Sequence, residues 1–249
     1  MKVIFTIVRH GETFGNVAKI LQGHLDTKLS ERGVQQAINT GKYFERVGQK
    51  FDFCFSSDLE RTRKTGELIM EQAGEAKQVH TDPRLREHFP GSLQGLPWGP
   101  KLFDILTTSA GDVGAETVDQ FEARLCDFWD YLLPSATGST TPLDSAGSRI
   151  VNVLIVTHGG PVRRLIISSL VIKRGYSVPS QLSQDLQLGV PQFLDRRVGN
   201  CCISKVRVER RDDGNWDGSV LEYASENHLD PEDTDLNETN VDNVAISNL

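Results

Sequence analysis

The chain has 249 residues, 38% of them hydrophobic. That is enough to bury a full core without disulfides, metal ions or a partner chain, and at about 150 residues per domain it allows one large domain or two small ones. It carries 27 Lys+Arg and 34 Asp+Glu, a formal net charge of −7. Seven of the acids (Glu226, Asp230, Glu232, Asp233, Asp235, Glu238, Asp242) lie in residues 224–249, which hold no Lys or Arg, so the other 27 acids balance the 27 cations of residues 1–223. No basic stripe matches the phosphate rail of a nucleic acid or an anionic membrane surface, which excludes both as expected partners.

Cys54, Cys126, Cys201 and Cys202 show no spacing that frames disulfides or zinc. The apolar run Val3–Val8 is too short for a signal core. Leu165–Ile172 falls far below the roughly 20 residues that span a bilayer. Together these features read as a reducing, cytosolic protein.

Val3-Ile4-Phe5-Thr6-Ile7-Val8 is nearly all apolar, as expected of a strand covered on both faces. Leu29-Ser30-Glu31 predicts a helix start with Ser30 as N-cap, and Val34, Ala37, Ile38, Gly41 and Phe44 recur at helical spacing after it. Phe51–Phe55 predicts a second strand, with Ser56-Ser57-Asp58 turning into a helix that carries Leu59, Thr62, Leu68 and Ile69. The Pro- and Gly-rich stretch Arg84–Gly99 reads as loop.

The stripe Val118, Phe121, Leu125, Phe128, Leu132 predicts a helix over 117–133, and Pro134–Arg149 a surface loop. Ile150–Val156 is a further strand, Gly160–Lys173 the helix after it, and Cys202–Val208 with Ser219–Tyr223 a hairpin around Asp213-Gly214-Asn215. Strands alternate with helices, which predicts an α/β three-layer sandwich: a mainly parallel sheet with helices on both faces. Residues 1–223 form the expected domain. The acidic tail 224–249, poor in large apolar groups after Leu229, is expected to be disordered.

Two strands end alike. The first runs into Arg9-His10-Gly11-Glu12 and a later one into Thr157-His158-Gly159-Gly160. In open parallel sheets ligands bind beyond the carboxyl ends of strands, and a glycine after each histidine lets the backbone approach a ligand closely. A neutral imidazole is a nucleophile near pH 7 and can accept a phosphoryl group. Guanidinium forks suit the three equatorial oxygens of that group, and Arg9 and Arg61 are candidates. The leaving oxygen needs a proton, which Glu87 in Leu85-Arg86-Glu87-His88 could supply.

Arg9-His10-Gly11-Glu12-Thr13 with Asn16 resembles the signature of the histidine phosphatase superfamily, with its phosphoglycerate mutase-like fold. At ordinary composition the four residues RHGE arise by chance in about one chain per thousand, and further pieces follow in family order. These are Leu29-Ser30-Glu31-Arg32-Gly33, Ser57-Asp58-Leu59-Glu60-Arg61-Thr62, Leu85-Arg86-Glu87, Glu116-Thr117 and His158-Gly159. The resemblance implies His10 as the phosphorylated nucleophile and Glu87 as proton donor, then acceptor. It implies His158 as transition-state stabiliser, and Arg9, Asn16, Arg61 and the backbone near Gly23 as holders of the phosphoryl group. It implies no metal and no cofactor.

Within the superfamily, Gln22-Gly23-His24-Leu25-Asp26 and Glu116-Thr117-Val118-Asp119-Gln120 are similar to TIGAR-type fructose-2,6-bisphosphatases. The implied substrate is a small phosphorylated sugar, with fructose 2,6-bisphosphate losing its 2-phosphate and glycolytic flux falling as a result. Two departures stand against a simple transfer. His88-Phe89-Pro90-Gly91 replaces the basic, tyrosine-containing stretch of those relatives, and residues 92–123 hold Lys101 as their single cation where mutases carry an arginine pair. The alternatives are a broad phosphatase of phosphoglycerates, other sugar phosphates or phosphoprotein, and a weakly active binding protein that recruits a partner through its tail or the 134–149 loop.

Several residues carry bland expectations. Glu12 is expected to bind a backbone group or arginine, and Asn16 could cap a short segment over Gly15–Leu21. Arg86, Arg163 and Arg164 could meet a second phosphate or serve structure alone. His24, His80, His88 and His228 default to structural roles, and Cys201-Cys202 to a half-buried strand. Cys54 and Arg61 are six residues apart in the intervening count, one too many for a cysteine-phosphatase loop.

Overall fold

A computed structural model describes residues 1–99, 102, 113–137, 150–178, 197–231 and 234, the side chains of 134–137 excepted. Its strands are β1 (Lys2–Arg9), β2 (Phe53–Ser56), β3 (Val79–Thr81), β4 (Ile150–Thr157), β5 (Ile203–Arg210) and β6 (Trp216–Ser225). The helices are α1 (Phe14–Val17), α2 (Glu31–Arg46), α3 (Glu60–Gln72), α4 (Val118–Thr137) and α5 (Gly159–Arg163), which continues as a π-helix over Arg164–Lys173. The six strands form one sheet in the order β3-β2-β4-β1-β5-β6. β3, β2, β4 and β1 pair in parallel, while β5 runs antiparallel to β1 and β6 antiparallel to β5.

The period of two along the strands separates the two faces. Val3, Phe5 and Ile7 of β1 join Val151, Val153 and Ile155 of β4 beneath Phe121, Leu125, Phe128 and Trp129 of α4 and Val162, Leu165 and Ile166 of the α5 segment. Val8, Leu154 and Val156 point the other way, onto Phe44 of α2 and Ile69 and Met70 of α3. Helices therefore cover both faces, in the three layers expected. Each of the fully buried aromatic and leucine side chains of the α4 stripe contributes about 1.5–3 kcal/mol by leaving water, so tertiary burial is what secures this helix.

Local signals set the helix ends. The Ser30 hydroxyl accepts the Gly33 N–H at 3.0 Å, the N-cap bond expected for α2. Leu59 at the start of α3 has no capping side chain of its own; Asp26 Oδ1, from a distant loop, accepts the Glu60 N–H at 2.6 Å instead. α4 runs past Pro134 to Thr137, beyond the predicted stop: the proline is a local signal against helix, and the buried stripe that precedes it carries the helix on for one more turn. The remainder of the expected 134–149 loop, residues 138–149, lies outside the described residues.

Other predicted bounds shift. The second strand is Phe53–Ser56 rather than Phe51–Phe55. β3 is three residues long and carries no alternation to read, and the 84–99 loop contains short 3-10 turns at Pro83–Leu85 and Gly91–Leu93. The hairpin reaches Arg210 and Trp216 around Gly214, whose φ is +85°. Cys201 and Cys202 are both fully buried, and Cys201 precedes β5 in the left-handed region at φ +55°, so the expected half-buried strand is corrected there.

The body also continues past residue 223. β6 ends at Ser225, Leu229 is buried against Leu29, Ala37 and Leu68, and the His228 ring lies 5.3 Å from Tyr43. Arg32 Nη2 donates to the Thr234 carbonyl at 3.0 Å. Residues 232–233 and 235–249 of the expected tail lie outside the description.

Where β1 leaves the sheet it meets the first turn of α2. A Cβ on Gly11 would overlap the Gly33 carbonyl, and one on Gly33 would overlap the Glu12 carbonyl oxygen. Gly11 is thus required by the close approach of α2, a constraint separate from the ligand approach expected of it. Both contacts are backbone, which cannot swing aside. Gly33→Ala is expected to lower stability by about 1–3 kcal/mol through overpacking, seen as a reduced urea midpoint with an unchanged m-value.

Candidate active site

β1 and β4 pair in parallel with Arg9 opposite Thr157, so the next residue of each, His10 and His158, emerges at the carboxyl edge side by side. The His10 N–H donates to the Thr157 carbonyl at 2.9 Å, extending the ladder by one step. The two imidazoles lie 5.2 Å apart, centroid to centroid, at an interplanar angle of 68°. Both are fully buried.

Their hydrogen bonds fix their tautomers. His10 Nδ1 is 2.7 Å from the Gly11 carbonyl, which can only accept, so Nδ1 carries the proton and Nε2 the lone pair. The Arg61 Nε–H donates to His158 Nδ1 at 3.2 Å, which puts the His158 proton on Nε2. That Nε2 is buried with no hydrogen-bond partner among the described residues, a condition that costs about 1–3 kcal/mol. One ring thus offers a basic nitrogen and its neighbour a donor. Burial, then the charges of Arg9 and Arg61, holds His10 well below the ordinary pKa of 6.5. Burial, then Arg61, His10 and Arg9, holds His158 well below it too. Both rings are neutral at pH 7.

Arg9 and Arg61 are buried to within 1%. Arg9 Nη1 donates to the Val198 carbonyl at 2.8 Å. Arg61, in the first turn of α3, donates to the carbonyls of Leu25 at 2.6 Å and Gly23 at 2.7 Å. These carbonyls orient the cations without cancelling their charge. Gly23 sits at φ +49°, and a Cβ there would strike the Pro90 ring, so the turn that brings its carbonyl to Arg61 demands glycine.

Asn16 is buried at N3 of α1, where its Oδ1 accepts the Thr13 N–H at 3.1 Å and its own N–H meets the Thr13 hydroxyl at 3.0 Å. This reciprocal capping box turns the Asn16 amide so that Nδ2 holds the opposite side. Thr13 is the N-cap, and the helix ends at Val17, short of the expected Leu21.

Glu87 is 4% exposed. Its Oε1 accepts the His88 N–H at 2.8 Å and its Oε2 the Gly160 N–H at 3.1 Å, which places the carboxylate at the start of α5, two residues from His158. The structure thus gathers His10, His158, Arg9, Arg61 and Glu87 at one edge of the sheet, with Asn16 and Gly23 on the adjoining 13–23 segment.

A family model described as the histidine phosphatase superfamily (branch 1) matches residues 5–185, well over half of the chain. The chain belongs to the histidine phosphatase superfamily. Phosphatase or mutase activity comes with that membership. Fructose-2,6-bisphosphatase TIGAR of Xenopus tropicalis is 33% identical over 228 residues, covering 74% of this chain and 81% of the relative. A broad-specificity phosphatase of Saccharomyces cerevisiae is 32% identical over 208 residues, covering 78% and 84%. Phosphoglycerate mutase of Bacillus anthracis, a solved structure, shares the fold with a TM-score of 0.64 at 20% identity, over 100% of this chain and 97% of that one.

The remaining residues of this histidine phosphatase sort plainly. Glu12 accepts the Ser30 hydroxyl at 2.6 Å and Arg32 Nη1 at 3.0 Å, the structural part expected. Arg86 is held fork to fork by Asp58 at 2.7 and 2.6 Å, a geometry that commits it to the protein rather than to a second phosphate. Arg164 Nη1 reaches Ser168 at 3.3 Å. His88 Nε2 donates to the Glu116 carbonyl at 2.6 Å and stays structural. His80 lies exposed on β3.

Four contributors were missed from sequence. Thr65 Oγ accepts the Gly11 N–H at 3.1 Å, Asn200 Nδ2 donates to the His10 carbonyl at 2.9 Å, and His24 Nε2 donates to the Glu87 carbonyl at 2.8 Å. Arg124 is the fourth. Thr65, Asn200 and Arg124 stand in no motif, and His24, which lies in the 22–26 motif, carries only a structural expectation, because each acts through a backbone group far away in sequence. No helix among the described residues is long and apolar enough to cross a membrane.

Proposed function

We propose that this protein is a cytoplasmic, metal-independent phosphatase working through phospho-His10, with the 2-phosphate of fructose 2,6-bisphosphate as its substrate and a lowering of glycolytic flux as its effect. The observation that carries the reading is the pair of tautomers: His10 Nε2 with its lone pair available beside the partnerless buried Nε2–H of His158. In the first step His10 Nε2 bonds to phosphorus and the P–O bond to the sugar breaks. Glu87, in its acid form, gives its proton to the leaving oxygen. In the second, water attacks phosphorus, Glu87 takes its proton, and the P–N bond breaks to return neutral His10. Arg9, Arg61, Asn16, the backbone at Gly23 and His158 Nε2–H face the phosphoryl oxygens as their charge spreads.

A second reading keeps the chemistry and broadens the substrate. Two features favour it: the loop after Glu87 carries Phe89 and Pro90 where TIGAR-type proteins are basic, and Arg86 is tied to Asp58. A panel of fructose 2,6-bisphosphate, 3-phosphoglycerate and p-nitrophenyl phosphate, assayed with EDTA present, decides between them. A kcat/KM for fructose 2,6-bisphosphate at least about tenfold above the others supports the first reading. A flat panel supports the second, and turnover abolished by EDTA defeats both.

A further inference from the structure

From Arg84 to Glu87 the chain passes from the single 3-10 turn Pro83–Leu85 into irregular backbone, so these carbonyls have no ladder to join and need other donors. Arg124, one side chain of α4, supplies them. Its Nη1 donates to the carbonyls of Arg84 at 2.6 Å and Arg86 at 2.8 Å, and its Nη2 to that of Glu87 at 2.8 Å. Glu116 accepts the remaining two bonds, Nε at 2.6 Å and Nη2 at 2.9 Å, and neutralises the cation. A guanidinium has five N–H groups, and these contacts engage every one. The plane also lies over Phe121, 4.7 Å from its centroid.

This saturation decides what Arg124 can do. With each donor committed and its charge matched by Glu116, it has nothing left to offer a phosphate. What it does fix is the backbone on which Glu87 stands. The Glu87 carbonyl is held by Arg124 and by His24 Nε2, each at 2.8 Å, while its carboxylate is held by the His88 and Gly160 N–H groups. The acid is located from both ends, across α4, the 22–26 loop and the start of α5.

We propose that Arg124 is a positioning residue for proton transfer by Glu87, acting through the 84–87 backbone and not through the substrate. This rests on the reading of Glu87 as proton donor. A lysine cannot replace it, since three N–H groups on a point charge cannot reach three carbonyls and both oxygens of Glu116.

The test exploits leaving-group chemistry. A sugar or glycerol alkoxide needs a proton as it departs, whereas p-nitrophenolate leaves unaided. Arg124→Met keeps the packing on Phe121 and removes the donors. It is expected to lower kcat on fructose 2,6-bisphosphate and on glycerol 3-phosphate by about a hundredfold, the scale of an ångström-sized misplacement. On p-nitrophenyl phosphate the loss is expected to stay within about fivefold, in line with an intact nucleophile and arginines. Arg124→Lys and Glu116→Gln should show the same bias with smaller size, and they carry the test if the methionine variant does not fold. Adding Arg124→Met to Glu87→Gln should cost nothing further on the alkyl phosphates. Equal losses on both substrate types in the Arg124 and Glu116 variants would overturn the proposal while leaving Glu87 as donor. Equal losses in Glu87→Gln itself would instead remove the proton-donor reading on which it stands.

Discussion

His10→Ala is expected to bring phosphatase turnover down by about 10⁴-fold or more, the scale seen when a covalent nucleophile is deleted. The wild-type protein, quenched during turnover with radiolabelled substrate, should carry acid-labile, base-stable label on His10, and the variant none. Among the described residues the His10 ring makes one hydrogen bond, from Nδ1–H to the neighbouring Gly11 carbonyl outside the sheet, so folded protein should still form. Full turnover in the variant would refute the covalent route.

The pH profile carries a matching sign. His10 attacks only when Nε2 is unprotonated, and burial with Arg9 and Arg61 holds its pKa well below 6.5. The acid limb of kcat/KM, which reports the free enzyme, should therefore fall below pH 6.5, with a plateau through neutrality. Stability moves in the same direction. A histidine whose folded pKa lies below its unfolded one contributes fully above 6.5 and loses that contribution as pH falls toward the folded value. His10 and His158 both do so, and His228, pushed down to about 4 by burial and Lys205, joins them. Urea midpoints should drop on going from pH 7 to pH 5, and a flat or rising midpoint would contradict neutral buried rings.

How much of this could be read from the chain depends on distance along it. The apolar runs ending in Arg9-His10-Gly11 and Thr157-His158-Gly159 declare both the strands and the edge at which they finish, because strand burial and motif are local. That the two strands are neighbours is not local: nothing in residues 1–20 records that Arg9 will stand opposite Thr157. The family resemblance supplied that link. Ser30 as N-cap was legible for the same local reason, while the cap of α3 was not, since Asp26 reaches it from another loop. Packing after residue 223 was hidden by composition. The acidic stretch looks solvated as a whole, yet Leu229 and His228 pack residues 228–229 against α2. Arg124 was invisible because its partners are carbonyls, which every sequence has.

Arg61→Met is the substitution in which geometry and charge part company most clearly. In structure, Arg61 joins three things: the Gly23 carbonyl, the Leu25 carbonyl and His158 Nδ1. Removing its donors leaves buried acceptors unmatched, for a loss of about 1–3 kcal/mol in the urea midpoint, and frees His158 to exchange tautomers. In chemistry, a cation beside the phosphoryl oxygens is lost, and kcat/KM is expected to fall by about 10³-fold. A purely structural arginine would give the first effect and a proportionate part of the second. It would not move the pH profile. Arg61 depresses the pKa of both His10 and His158, so deleting it lets both rise toward 6.5, and the residual activity of Arg61→Met should show an acid limb displaced to higher pH than the wild type. Arg61→Lys separates the two parts: it keeps a charge that holds the limb low, yet cannot span three acceptors, so the stability loss should persist while the limb stays near its wild-type position. An unshifted limb in Arg61→Met would mean that this guanidinium does not act on the imidazoles it touches.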